Sequence, residues 1–134
     1  MKILYVAMKY DYGDPKRGED IIRQGVYNSL IKMNGGNITV IYFPYDEILI
    51  NKGRDAMNKE LLEMVFSEKP DGIFFGVENE FFKKETIKEI TEKSGAVTFN
   101  WHSDDNWKFY TYSKHWAPFY HYVITTEYDS IEKY

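Results

Sequence analysis

The chain opens with the apolar run Ile3-Leu4-Tyr5-Val6-Ala7-Met8, which a polar loop with glycine and proline follows at residues 9–18. An unbroken apolar run of this length is typical of a β-strand that is buried on both faces. From Glu19 to Met33, apolar residues recur every three or four positions, which predicts an amphipathic helix. The pair Gly35-Gly36 predicts the end of this helix, because glycine tolerates the left-handed conformation of a helix C-terminus.

The same alternation of strand and helix continues along the rest of the chain. Further strands are predicted at residues 38–43, 73–77, 96–101 and 122–126. Helical patterns lie at residues 46–52, 57–68, 84–93 and 104–114, and a helix that has only begun lies at 127–134. Strands that alternate with helices form right-handed βαβ units, whose parallel sheet is covered by helices on both faces.

The predicted fold is therefore α/β, a single Rossmann-like or flavodoxin-like three-layer sandwich spanning residues 1–134. Its parallel sheet has about five strands. We favour the strand order 2-1-3-4-5, because each connection is then short and the chain crosses the sheet once. The order 3-2-1-4-5 remains open at this point.

Composition excludes several classes of protein. The 134 residues include 17 basic and 21 acidic side chains and no cysteine. Disulfides and thiolate metal sites are thereby excluded, and the net charge of -4 argues against nucleic acid as a partner. No apolar stretch reaches the roughly 18–20 residues that span a bilayer. We expect a soluble, cytoplasmic protein without a membrane span.

In an open parallel sheet, ligands bind beyond the carboxyl ends of the strands, where the strand order reverses. For the order 2-1-3-4-5 this crevice lies between the first and third strands, next to the loops at residues 9–18, 78–82 and 102–107. The first loop contains no glycine-rich phosphate motif, although Lys16 and Arg17 could hold an anion there.

The most reactive-looking stretch follows the fourth strand and reads His102-Ser103-Asp104-Asp105-Asn106-Trp107. Its histidine could act as a general acid or base. Its two aspartates could enter the same site, or Ser103 or Asp104 could cap the next helix with Asp105 in the first helical turn. All three Trp and all three His lie between residues 99 and 122. In this region Trp107, Tyr110 and Tyr112 are expected to be open to solvent, where they would form an interface.

The chain resembles the amino-terminal part of CgeB-like glycosyltransferases of the GT-B superfamily, which include proteins linked to spore maturation. The resemblance begins in the first 18 residues and is strongest at Thr98-Phe99-Asn100-Trp101, with Asp104-Asp105 and Trp107. It continues through Trp116-Ala117-Pro118 to Thr125-Thr126. The shared order of these segments carries the match, since none of them alone is a catalytic signature.

The resemblance implies the acceptor-side lobe of a two-lobed enzyme whose other lobe binds the nucleotide-sugar donor. His102, Asp104 or Asp105 would accept the acceptor's proton, while Asp11 and Glu78 would bind sugar hydroxyls. Lys16, Arg17 and Trp107 complete the candidate binding residues. No metal and no cofactor are implied.

The expected partners are a glycan or another hydroxyl acceptor, and a second Rossmann-like lobe or a second copy of the chain. The alternative function is a stand-alone, non-catalytic module that binds a glycan or a protein.

Overall fold

The computed structural model describes residues 1–33 and 37–134, which contain a five-stranded parallel sheet. Its strands are β1 (Lys2–Ala7), β2 (Thr39–Pro44), β3 (Gly72–Gly76), β4 (Val97–His102) and β5 (Tyr122–Thr125). They are ordered β2-β1-β3-β4-β5, and every neighbouring pair is parallel. The predicted fold class and the favoured strand order are confirmed, and all five carboxyl ends lie at one edge.

The helices lie near the predicted positions, although α3 begins at Arg54, before the predicted start at residue 57. The long ones are α1 (Ile21–Lys32), α2 (Tyr45–Lys52), α3 (Arg54–Glu68) and α4 (Lys84–Lys93). The chain between β4 and β5 is helical as α5 (Asp105–Lys108), a π-helical turn (Phe109–Ser113), α6 (Lys114–Trp116) and a 3₁₀ turn (Ala117–Phe119). Further 3₁₀ turns are Asp11–Gly13, Pro15–Arg17 and Tyr128–Lys133. The predicted end of the first helix at Gly35-Gly36 lies outside the described residues.

The main core fills the space between one face of the sheet and helices α2, α3 and α4. Fully buried residues on this face of the sheet are Leu4, Val6, Phe43, Ile73 and Phe75. The helices contribute Tyr45, Met57, Leu61, Val65, Ile87 and Ile90. This face therefore follows the usual rule that alternate strand residues pack against apolar helix stripes.

The opposite face is covered by α1 through aromatic side chains. Tyr27 of α1 stacks on Tyr5 of β1, with ring centroids 6.4 Å apart, and both contact Tyr42 of β2. No residue of α1 is fully buried, and Ile22 and Met33 are 53% and 74% exposed. Helix α1 thus packs through a tyrosine cluster and leaves both ends of its aliphatic stripe in solvent.

The expectation that helices cover both faces fails over β4 and β5. On the α1 side of the sheet, Val97, Tyr122 and Ile124 are exposed. In the described part of the chain, α1 is the helix whose side chains pack on this face, and its contacts are with β1 and β2. Within residues 1–33 and 37–134, no helix has the length and apolar character needed to cross a membrane.

A buried side chain joins β3 to β4 where their backbone pairing stops. The ladder ends at Phe75 and Asn100, and the Asn100 amide then pairs with the peptide groups of Val77. Its Oδ1 accepts from the Val77 N–H at 3.2 Å, and its Nδ2 donates to the Val77 carbonyl at 2.9 Å. Because both residues are completely buried, no water replaces these bonds.

We expect Asn100→Leu to lower the free energy of unfolding by at least about 2 kcal/mol, since a buried N–H left without an acceptor costs about 1–3 kcal/mol and further bonds of the same amide are lost. Urea unfolding followed by circular dichroism measures the change. The matched control is Asn106→Leu in the exposed part of α5. Equal stability losses in the two variants would contradict the role assigned to Asn100.

Candidate functional site

A cavity of about 420 Å³ lies at the carboxyl edge of the sheet, between the ends of β1 and β3. This is the crevice that the strand order predicts, because the order reverses there. Its walls come from four parts of the chain: the loop after β1, the start of α1, the loop after β3, and the end of β4 with α5. Asp11, Glu78 and Asp104 of the predicted site residues line it.

Small residues at the ends of β1 and β3 make room for the cavity. Ala7 and Gly76 lie side by side in the ladder and form its floor together with Tyr5 and Trp101. A Cβ added to Gly76 would lie 3.5 Å from the Ala7 Cβ and 3.6 Å from the Tyr5 hydroxyl. A side chain at position 76 would therefore occupy the floor, next to the tyrosine.

The loop after β1 is attached to α2 by one buried carboxylate. Asp46 accepts the backbone N–H groups of Lys9 at 2.8 Å and Tyr10 at 2.9 Å. Beyond this point Asp11 forms an ion pair with Arg17 at 2.8 Å. The pair leaves the other oxygen of Asp11 without a hydrogen-bond partner among the described residues.

The two predicted anion-binding residues lie outside the cavity lining. Lys16 and Arg17 belong to the 3₁₀ turn at Pro15–Arg17. The Arg17 guanidinium pairs with Asp11 and also lies 4.5 Å from the ring centroid of Tyr12. Its charge is therefore already partnered within the loop.

Three charged side chains connect the loop after β3 to α5. Lys108 donates to Glu78 at 2.9 Å and to Asp104 at 3.0 Å. Glu78 also accepts from the hydroxyl of Ser103 at 2.6 Å and from its backbone N–H. Desolvation alone would lower the pKa of Lys108, but the bonds to both carboxylates outweigh it and raise that pKa. Lys108 therefore stays charged and holds the two carboxylates together.

Asp104 occupies the N-cap position of α5 without performing the capping bond. Its side chain accepts no backbone N–H of the helix, and its Oδ2 instead accepts from Lys108. Its Oδ1 has no hydrogen-bond partner among the described residues. Asp104 therefore has the predicted N-cap position but does not make the capping hydrogen bond. One of its carboxylate oxygens is open at the edge of the cavity.

The other two predicted catalytic residues lie in the interior. His102 and Asp105 are 1% and 0% exposed and do not line the cavity. Asn100 donates to His102 Nε2 at 2.9 Å, so His102 Nδ1 carries the proton and donates to the Tyr134 hydroxyl at 2.8 Å. That hydroxyl donates to Asp105 at 2.5 Å, and Ser113 donates to the other carboxylate oxygen.

This network sets the charges of its members. Burial lowers the pKa of His102, although the nearby Asp105 opposes the shift. Burial alone would raise the pKa of Asp105, but hydrogen bonds from Ser113 and Tyr134 prevail and hold it below the usual range. The pair is therefore a neutral imidazole beside a carboxylate, and it supports the end of β4 from behind the cavity.

The aromatic residues after β4 divide between surface and interior. Trp107 and Tyr110 are 63% and 66% exposed, as predicted, and neither lines the cavity. Tyr112 is buried, contrary to the expectation that it is open. Its hydroxyl donates to the carbonyls of Val77 and Asn79, which draws the ring inward beneath the loop after β3.

Sequence reasoning missed several residues that build the site: Tyr5, Asp46 and Asn100. Tyr5 stands inside an apolar run and gives no signal of its own. Asn100 gives one, because an amide within an otherwise apolar strand needs buried partners. In the described part of the chain, no group of three or more His, Asp or Glu side chains could hold a metal ion.

Comparisons of the chain with protein-family models, with curated proteins and with solved structures found no significant match.

The free energy of unfolding is expected to fall as the pH drops below about 6.5, the ordinary pKa of histidine. Because the pKa of His102 is lowered in the folded state, the unfolded chain takes up the proton first. The stabilising contribution of neutral His102 is complete above that pH and is lost progressively as the pH falls towards the folded pKa. Urea unfolding between about pH 8 and pH 5 measures this slope.

The dependence of the free energy of unfolding on pH should disappear in His102→Gln. It should be unchanged in His115→Gln, because His115 is exposed. Asp105 does not contribute in this range, because its lowered pKa affects stability only below about pH 4. An unchanged slope in the His102 variant would show that another group causes it.

Proposed function

We propose that this chain is the acceptor-side lobe of a GT-B-type glycosyltransferase of the CgeB-like kind, with the hydroxyl acceptor bound in the cavity. The observation that carries the proposal is the convergence of Asp11, Glu78 and Asp104 with aromatic rings at the edge where the strand order reverses. The resemblance of the sequence to that family supports it independently.

The lining of the cavity suits a sugar. Tyr12, Phe81 and Trp101 offer ring faces on which the C–H face of a sugar stacks. Open carboxylate oxygens of Asp11 and Asp104 accept hydrogen bonds from its hydroxyls. The volume of about 420 Å³ is within the range of small-molecule sites, roughly 300–1,000 Å³.

Among the three candidate proton acceptors, Asp104 is the one that lines the cavity. A general base must come within hydrogen-bond reach of the proton it takes, and Asp104 Oδ1 is open for this contact. In transfer, the acceptor oxygen bonds to the anomeric carbon of the donor sugar while its proton passes to Asp104 and the nucleoside diphosphate leaves. His102 and Asp105 are then positioning residues, because they hold β4 and α5 in place.

The donor would be bound by a second Rossmann-like lobe. Val97, Tyr122 and Ile124 form an exposed apolar surface on the sheet face that α1 leaves uncovered, which supports a partner on that face.

We expect the isolated 134-residue chain to bind sugars in saturation-transfer NMR but to transfer none from nucleotide sugars. Asp104→Asn should weaken sugar binding at least about fivefold, since a charged acceptor is replaced by a neutral one. Asp55→Asn, at a side chain that is 86% exposed on α3, is the matched control. Absence of sugar binding would contradict the acceptor site, and transfer by the isolated chain would contradict the single-lobe assignment.

The alternative function, a stand-alone module for glycan or protein binding, is favoured by Trp107 and Tyr110. Both are exposed, and Lys108 and Lys114 lie 4.9 and 5.3 Å from their respective ring centroids.

We expect light scattering to show concentration-dependent self-association, because a lobe with an uncovered sheet face associates through it. A strictly monomeric chain would favour the stand-alone module.

A further inference from the structure

The two cations of the cavity lining are both engaged by the protein itself. Lys108 lies between Glu78 and Asp104, as described above. Arg23 donates to the Tyr42 hydroxyl at 3.1 Å, and its guanidinium lies 4.9 Å from the centroid of the same ring. Arg23 also pairs with Glu19 at 3.5 Å, while its Nε is buried and has no hydrogen-bond partner among the described residues. Each lining cation therefore already has a carboxylate partner.

The N-terminus of α1 is also unfavourable for binding an anion. In many Rossmann-like sheets the N-terminus of the first helix holds a phosphate with its free N–H groups. Here Asp20 is the N-cap, and its Oδ1 accepts the Arg23 N–H at 2.8 Å. A phosphate at this helix end would meet a carboxylate in place of an open N–H group.

The open polar atoms of the cavity are hydrogen-bond acceptors together with one hydroxyl at the floor. The acceptors are single carboxylate oxygens of Asp11, Asp20 and Asp104, which have no hydrogen-bond partner among the described residues. The hydroxyl belongs to Tyr5, which is 2% exposed, lines the floor and has no hydrogen-bond partner in the described structure.

The side chain of Tyr5 is buried while its hydroxyl is accessible from the cavity, so water or a ligand hydroxyl is the partner available to it. Burial raises the pKa of Tyr5, with Asp20 acting in the same direction, so the hydroxyl keeps its proton and can donate as well as accept. Tyr5 is therefore suited to a ligand hydroxyl that reaches the floor over Gly76.

We propose that the cavity selects polyhydroxyl acceptors without an anionic group, such as hexoses and amino sugars, and rejects their phosphates, with Tyr5 binding a ligand hydroxyl at the floor. This selection rests on the proposed acceptor function of the same cavity. Lining acids, namely Asp11, Asp20, Glu78 and Asp104, outnumber the two engaged bases Arg23 and Lys108. Amino groups are attracted by this excess of negative charge, and phosphate groups are repelled by it.

The test titrates the purified chain, by ligand-observed NMR, with glucose, galactose and mannose and with the 2-amino and 6-phosphate derivative of each. We expect at least one hexose and its amino derivative to bind saturably, and the matching 6-phosphate to bind at least about tenfold more weakly. A phosphate that binds as well as its parent hexose would overturn the inference.

Two variants test the floor of the cavity. Tyr5→Phe removes the hydroxyl and should weaken hexose binding at least about fivefold, by loss of one hydrogen bond. Tyr122→Phe on the exposed face of β5 is its matched control and should have no effect. Gly76→Ala adds a methyl group at ordinary contact distance, so the variant should fold and lose hexose binding. Unchanged binding in the Tyr5 and Gly76 variants would place the ligand elsewhere.

A third variant tests the charge. Asp20→Asn keeps a good N-cap residue while removing the negative charge. The difference in affinity between a hexose and its 6-phosphate should therefore become smaller. Glu92→Gln on α4, which does not line the cavity, should leave this difference in affinity unchanged. If no sugar of any charge binds, the proposed acceptor function fails as well. If hexoses bind and their phosphates bind equally, only the charge selection fails.

Discussion

The pairing of the Val77 peptide with the Asn100 amide is the contact on which the cavity depends. Backbone pairing between β3 and β4 stops at Phe75 and Asn100, two residues before Val77, and the Asn100 amide supplies the hydrogen bonds to Val77 instead. Because this peptide is fixed, Glu78 leaves the strand at the position where its carboxylate meets Ser103 and Lys108. The wall of the cavity between β3 and α5 follows from that one attachment.

The rim of the cavity is held in the same manner by side chains from the helices below it. The Arg54 guanidinium of α3 donates to three successive backbone carbonyls, at residues 80–82. Asn58 accepts the Lys83 N–H, and Asp46 of α2 accepts two N–H groups of the loop after β1. Loops without regular backbone pairing are thereby given fixed positions, as groups that contact a ligand require.

Strand β4 shows why the catalytic candidates were only partly predictable. Its apolar residues Val97, Phe99 and Trp101 lie on the less covered face, whereas its polar residues Thr98, Asn100 and His102 are buried. Hydrophobicity alone predicts the opposite orientation. The polar residues are buried because each finds a partner from another segment, among them Val77, His121 and Tyr134.

The alternation of strands and helices, their approximate positions and the edge of the sheet that holds the cavity were determined by the sequence itself, because apolar period and glycine positions act locally. Short connections left two strand orders possible, and the tertiary structure decided between them. The inward turn of His102 and Asp105, the open oxygen of Asp104 and the unpaired hydroxyl of Tyr5 were decided only by the tertiary structure. These properties depend on which distant side chains supply hydrogen bonds. Contacts between residues that are 20 or more positions apart produce no repeating pattern in the sequence.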